Sequence, residues 1–211
     1  MRKLLLLCLF GLGCFYEADA QQAAILTNDS TTQESVAPYK PVRLLLSGSF
    51  EFGGDEVAKV YFTNGDDQSV KAGQGVSAAV GAEFRFRKVE NLLLRATVGY
   101  KYVTTQADNV HIRLTRIPLH FTANCMATDK IRLGAGIVTH QAIKFNADGI
   151  GENLTFKAAA GPVFEVAYSG IGLSYTIMKY QDNAHTSYAA NAIGVTFSGV
   201  LPRITQTKTS K

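Results

Sequence analysis

Residues 76–87 read VSAAVGAEFRFR. Every second position gives Val76, Ala78, Val80, Ala82, Phe84 and Phe86, and the residues between are Ser77, Ala79, Gly81, Glu83, Arg85 and Arg87. Side chains alternate across a β-strand, so one face here is wholly apolar while the other carries three charges and a glycine. An apolar face must meet either a protein core or lipid. Which of the two applies depends on what cover the rest of the chain supplies.

Working outward, the same alternation recurs. A first strand over residues 42–52 places Leu44, Leu46, Phe50 and Phe52 on one face, with Arg43, Ser47, Ser49 and Glu51 on the other. Residues 53–73 read as a long loop, with a kink at Gly53-Gly54 and a hairpin signal at Asn64-Gly65. After the opening stretch, a short connection at 88–91 leads to a third strand over 92–102, followed by a loop at 106–109. The fourth strand begins with Ile112 and Leu114 on the apolar face. It changes phase to Ile117, Leu119 and Phe121, which predicts a bulge at Arg116-Ile117-Pro118.

A turn at 127–129 precedes a fifth strand over 131–140, and a longer loop spans 145–153. The sixth strand, 154–168, aligns Leu154, Phe156, Ala158, Ala160, Pro162, Phe164, Val166 and Tyr168 on one face, opposite Lys157, Gly161 and Glu165. Ser169-Gly170 turns the chain into a seventh strand ending near Ile177. A loop at 181–185 leads to the eighth, over 188–199. No helical period of comparable length occurs, and connections alternate long and short.

The first twenty residues stand apart. Arg2 and Lys3, an apolar stretch from Leu4 to Tyr16 and the Ala18-Asp19-Ala20 site form a secretory signal peptide. Leu12-Gly13-Cys14 offers the competing reading of a lipidated cysteine. Residues 21–41 are polar, lack periodicity and read as a disordered periplasmic lead-in, while 200–211 form a basic periplasmic tail. Cys8 and Cys14 leave with the signal, so Cys125 has no internal disulfide partner and reads as a small packed residue near a turn. The net charge of +4 is mild and scattered, which argues against a nucleic-acid partner.

Eight apolar faces without helices to cover them predict an all-β fold: an eight-stranded antiparallel up-and-down transmembrane β-barrel over 42–199, its apolar faces toward lipid. Tyr100, Tyr102, Tyr168, Tyr175 and Tyr188 fall near strand ends, where aromatic girdles are expected. With its leader, eight strands and unequal connections, the chain resembles the small Gram-negative outer-membrane barrels of the outer membrane protein A and X class. The resemblance implies residence in the cell outer membrane as a monomer. It also implies lipid, lipopolysaccharide and the outer-membrane assembly machinery as partners.

The inward positions hold Glu51, Glu83 and Glu165 together with Arg43, Arg85, Arg95, Lys101, Arg113, Arg132 and Lys157. Eight strands enclose an interior just wide enough for side chains, so such charges must pair or be hydrated. The reading that follows is a lumen plugged by its own charge network, in a protein with a structural or surface-interaction role. The excess of basic residues leaves a small anion-preferring pore as an alternative. His111, His120, His140 and His185 are scattered and none has a partner at metal-ligand spacing, so no catalytic residue, metal or cofactor is assigned. Some barrels of the class modify lipid A with a His, a Ser and a carboxylate, and that is the third reading. In loop 53–73, Asp55, Glu56, Asp66 and Asp67 face Lys59 and Lys71, a pattern for a surface partner, a divalent cation or a solvated exterior.

Overall fold

The computed structural model describes residues 40–61, 67–107, 110–149 and 152–201. The signal peptide, most of the lead-in, the tail beyond Leu201, Asp66 and the Asn64-Gly65 turn lie outside them. The described chain runs through β1 (Val42–Phe52), β2 (Glu56–Tyr61), β3 (Asp67–Lys71) and β4 (Gly75–Phe86). Three long strands follow: β5 (Val89–Ala107), β6 (Val110–Met126) and β7 (Ile131–Asn146). The remainder is β8 (Leu154–Ala158), β9 (Gly161–Tyr168), β10 (Ile171–Thr176), β11 (Lys179–Gln181), β12 (Ser187–Ala189) and β13 (Ala192–Leu201).

Antiparallel pairing runs around a ring from β1 through β4, β5, β6, β7, β9 and β10 to β13. β13 then pairs back onto β1, from Leu44↔Leu201 to Phe52↔Ile193. The sheet is therefore a closed eight-stranded barrel. Closure leaves no edge and pairs the backbone polar groups inside the protein, which a bilayer interior demands. Its outer surface carries Leu44, Phe50, Val80, Phe84, Val98, Leu119, Phe121, Leu133, Ile137, Phe164, Leu173, Ile193 and Phe197, all exposed. An apolar belt of that kind is lipid-facing, with Tyr100, Tyr168 and Tyr175 also outward. Cys125, expected to be packed, is exposed on the same outer side.

β5 and β6 have 19 and 17 residues, well beyond the ~9–11 needed by a tilted strand to span hydrocarbon. β5 continues through Gln106 and Ala107, the first half of the loop expected at 106–109, whose other two residues lie outside the described ones. In this extension the sidedness reverses. Ile112, Leu114, Ile143, Phe145 and Phe156 are buried inside, while His111, Arg113, Lys144, Thr155 and Lys157 are exposed outside. An apolar cluster fills the interior here, with Val103, Val138, Met178 and Tyr180. Tyr188, expected in a girdle, instead packs edge-on to Phe156, their ring centroids 5.7 Å apart.

The expected bulge in the fourth strand lies elsewhere. Ile112, Leu114, Arg116 and Pro118 keep one parity along β6 and all are buried. The register shift between Thr115 and Ile117 is absorbed on the partner strand, where Ala142 adopts φ 49° and inward residues pass from His140 to Ile143. A second phase change occurs at 159–160, where inward Phe156 gives way to Gly161 and Val163.

Residues 53–73, expected as a loop, form the β2–β3 hairpin. Its base turns sharply at Gly54 (φ 85°), where a Cβ would collide with the Gly73 nitrogen and sit 2.9 Å from the Ala189 carbonyl oxygen. Asp55 N–H donates to Ala189 O at 2.7 Å, and Ala189 N–H donates to the Asp55 carboxylate at 2.6 Å, tying the hairpin to β12. Val70 and Ala72 are buried in the apolar cluster, so the hairpin lies within the extension of the barrel.

The faces can be tested directly. Ala82 pairs with outward Leu44 on β1, so Ala82→Arg should block assembly, at a cost of about 2–4 kcal/mol near the bilayer midplane. Ser187→Arg, on the exposed polar outside of the extension, should assemble normally. Heat-modifiable migration of the membrane fraction on SDS gels reads both. Gly81, an inward neighbour of Ala82, is no neutral control, because a Cβ there would strike the Ala96 carbonyl.

Candidate functional site: the charged lumen

Two tiers of charge occupy the barrel interior. In the tier nearer the short turns, Glu83 on β4 is 1% exposed and receives three guanidinium groups. Arg43 of β1 ion-pairs with its Oε1, which Arg85 Nε also reaches at 3.3 Å. Arg95 of β5 donates twice to the single oxygen Oε2, from Nε at 2.9 Å and from NH2 at 2.6 Å, a charge-assisted contact. Across the lumen, Arg132 NH2 of β7 lies 2.9 Å from Glu165 Oε2 on β9, and Thr196 donates to Glu165 Oε1 at 2.6 Å. These neighbours follow from register: Arg43↔Glu83 and Glu83↔Arg95 are directly opposed across adjacent strands.

In the second tier, Lys101 and Glu51 form an ion pair with almost no exposure. Lys101 Nζ also donates to the Gly73 carbonyl at 2.7 Å. Arg116, fully buried, donates to the carbonyls of Ala72 and Gln74, and at 3.3 Å to the Tyr180 hydroxyl. Its guanidinium carbon is 5.9 Å from the Tyr180 ring centroid. With its oxygen accepting from Arg116, Tyr180 shares its remaining hydrogen bond with His140 Nδ1. The cations of this tier therefore hold backbone of the hairpin stem, satisfying the carbonyls of Ala72, Gly73 and Gln74.

Between the tiers lies a polar chamber of about 100 Å³, lined in part by Ser49, Ser77, His120, Thr122, Glu165 and Ser174. Ser49 and Ser77 hydroxyls are 2.8 Å apart and bonded. Above the second tier the interior is the apolar cluster, which Arg116 and His140 meet at the Tyr180 hydroxyl.

The structure thus brings Arg43, Glu83, Arg85, Arg95, Arg132 and Glu165 into one group, and Glu51 with Lys101 into another. Arg113 and Lys157 do not join either: both are exposed on the outside of the extension, because their strands there turn Ile112, Leu114 and Phe156 inward. Arg116 was not among the expected lumen residues, and His140 and Tyr180, though their strand parity points inward, were not in the expected charge network. Carrying a single parity through residues 110–126 is the signal that places Arg116 inside. In the acidic loop, Lys59 pairs with Asp67 at 3.0 Å and Ser69 donates to Glu56. Among the described residues, no group of three or more His, Cys, Asp or Glu side chains is arranged to hold a metal ion.

No protein family and no curated protein sequence matches the chain. Among solved structures, it is similar to the crystal structure of Neisserial surface protein A (NspA), with 12% identity and a TM-score of 0.39 over 75% of this chain and 97% of that one. It is also similar to the solid-state NMR structure of outer membrane protein AlkL in DMPC lipid bilayers, with 13% identity and a TM-score of 0.41 over 86% and 100%. Likeness at that level is too distant to carry an inference. The closed antiparallel ring and its apolar belt, on their own, make the chain an eight-stranded antiparallel transmembrane β-barrel.

The second tier makes a stability prediction. Lys101→Met strands Glu51 as a buried carboxylate and frees the Gly73 carbonyl. Breaking one side of a buried pair commonly costs about 3–5 kcal/mol. The urea unfolding midpoint of the refolded variant should fall accordingly, and Glu51→Gln combined with Lys101→Met should recover part of the loss.

Proposed function

We propose that the protein is an integral outer-membrane barrel with a sealed lumen, serving as a structural and surface-presenting element. Its short turns face the periplasm and its strand extensions face the exterior. The observation that supports this reading above all is the anchoring of the hairpin stem by Lys101 and Arg116, beneath an apolar cluster that fills the extension. A solute path would have to cross both. What remains for partners is the exposed outside of the extension, including the acidic hairpin of β2 and β3. No catalysis is assigned: the lumen carboxylates of Glu51, Glu83 and Glu165 are committed to ion pairs.

The preponderance of arginine in the lower tier favours, as the second reading, a small anion-preferring pore. Planar-bilayer recording separates the two. The wild type should be silent. Replacing Lys101 and Arg116 together by Met should release the hairpin stem and produce intermittent conductance. A steady, large, anion-selective current from the wild type would overturn the sealed-lumen reading. For the lipid A-modifying alternative, lipid A mass profiles from cells with and without the protein should be identical.

A further inference from the structure

The outside of the extension carries a stripe of positive charge. Arg113 on β6, Lys144 on β7, Lys157 on β8 and Lys179 on β11 are all exposed there. Register makes them successive neighbours. Arg113 opposes Asn146, two residues beyond Lys144; Lys144 opposes Thr155, two before Lys157; and Lys157 opposes Gln181, two beyond Lys179. Such diagonal partners stand about 7–8 Å apart on one face of a sheet. Each step descends the strands by two residues, against the climb of the pairings around the tilted ring, which keeps the four in a narrow band of height. Among the described residues, none of the four has an ion-pair partner. The carboxylates of Asp148 and Asp182 sit in the loops past the strand ends, where each accepts a backbone N–H at 2.8 Å, from His111 and Thr186. Beneath the stripe the apolar belt begins at once. Its last exposed residue on β6 is Ile117, and just before β11 it is Ile177, two residues from Lys179. The outward ends of β1, β4 and β13 instead carry Phe52, Val76 and Ile193, so the charge lies on one side of the barrel. A cation at the edge of hydrocarbon lays its aliphatic stem along the apolar surface and extends its head into the headgroup layer.

We infer that this stripe docks phosphorylated lipid headgroups of the leaflet on the extension side. The belt takes acyl chains and the cations beside it take phosphate oxygens, so the two parts of one amphiphile are matched in their natural order. A soluble anion would use the charges and leave the belt idle. The spacing of about 7–8 Å lets a headgroup with two phosphates bridge adjacent cations, and lets single-phosphate lipids line up along the row. The inference rests on the transmembrane barrel alone. It holds for either orientation in the membrane, and for a sealed or a conducting lumen.

The test uses the whole protein refolded into phosphatidylcholine vesicles that hold a trace of chain-spin-labelled phosphatidic acid or phosphatidylcholine. Electron paramagnetic resonance separates lipid held at the barrel surface from free lipid and so measures relative association. The wild type should prefer phosphatidic acid by about fivefold, the factor expected from one cation at the headgroup layer. Lys144→Gln with Lys157→Gln should remove most of that preference. Arg87→Gln with Lys88→Gln takes the same charge from a short turn and should leave most of it. Arg113→Gln with Lys179→Gln is the second stripe variant, and heat-modifiable migration on gels checks that each variant folds. A wild type without the preference, or equal losses in the stripe and short-turn variants, would overturn the proposal. So would a preference that millimolar inorganic phosphate erases at equal ionic strength, because a headgroup held also by its chains is not displaced by the free anion.

Discussion

Hydrocarbon offers no partner to a backbone N–H or C=O, and nearly everything else in this molecule follows from that constraint. The sheet must close, so β13 returns to β1. Closure with eight strands leaves an interior too narrow for bulk water, so polar side chains that point inward must satisfy one another. Glu83 held by Arg43, Arg85 and Arg95, and Lys101 held by Glu51 and the Gly73 carbonyl, are consequences of that confinement. The charge tiers do not drive closure, since a buried pair seldom gains over an apolar one of equal volume. They make other arrangements of the ring expensive.

Where each strand had lipid outside and charge inside, the alternation could be read from sequence alone: residues 42–52, 76–86 and 171–176 are strands with the anticipated faces. The reading failed where the surroundings changed along a strand. In β6 the outside passes from hydrocarbon to water near Thr115, while the inside passes from polar to apolar. Ile112 and Leu114 therefore share a face with Arg116, and the pattern mimics a one-residue slip that the backbone never makes. Arg113 and Lys157 were misplaced for the same reason. The real slip, at Gln141 and Ala142, is hard to see because both faces there carry mixed residues.

The second tier was less legible for another reason. Arg116 and Lys101 are satisfied largely by the carbonyls of Ala72, Gly73 and Gln74, and a carbonyl has no letter in a sequence. Ala72, Gly73 and Gly75 are the trace it leaves, since only a slender stem fits between two long cations. By contrast, the Glu83 cluster was visible because its members are opposed in register on adjacent strands, Arg43 to Glu83 to Arg95.

The β1–β13 seam has a kinetic consequence. Each other joint in the ring links strands that are consecutive staves of the barrel, joined by a turn or one loop. The seam alone brings together Leu44 and Leu201, roughly 150 residues apart. Loop-closure entropy rises only logarithmically, so this joint costs about 2 kcal/mol more than a hairpin of ten to fifteen residues. That penalty falls on a single event, while the hairpins accumulate locally at low contact order. The barrel is therefore built as a curling ribbon whose last zip is its first strand against its last. Of the eight joints of the ring, that zip carries the largest loop-closure entropy.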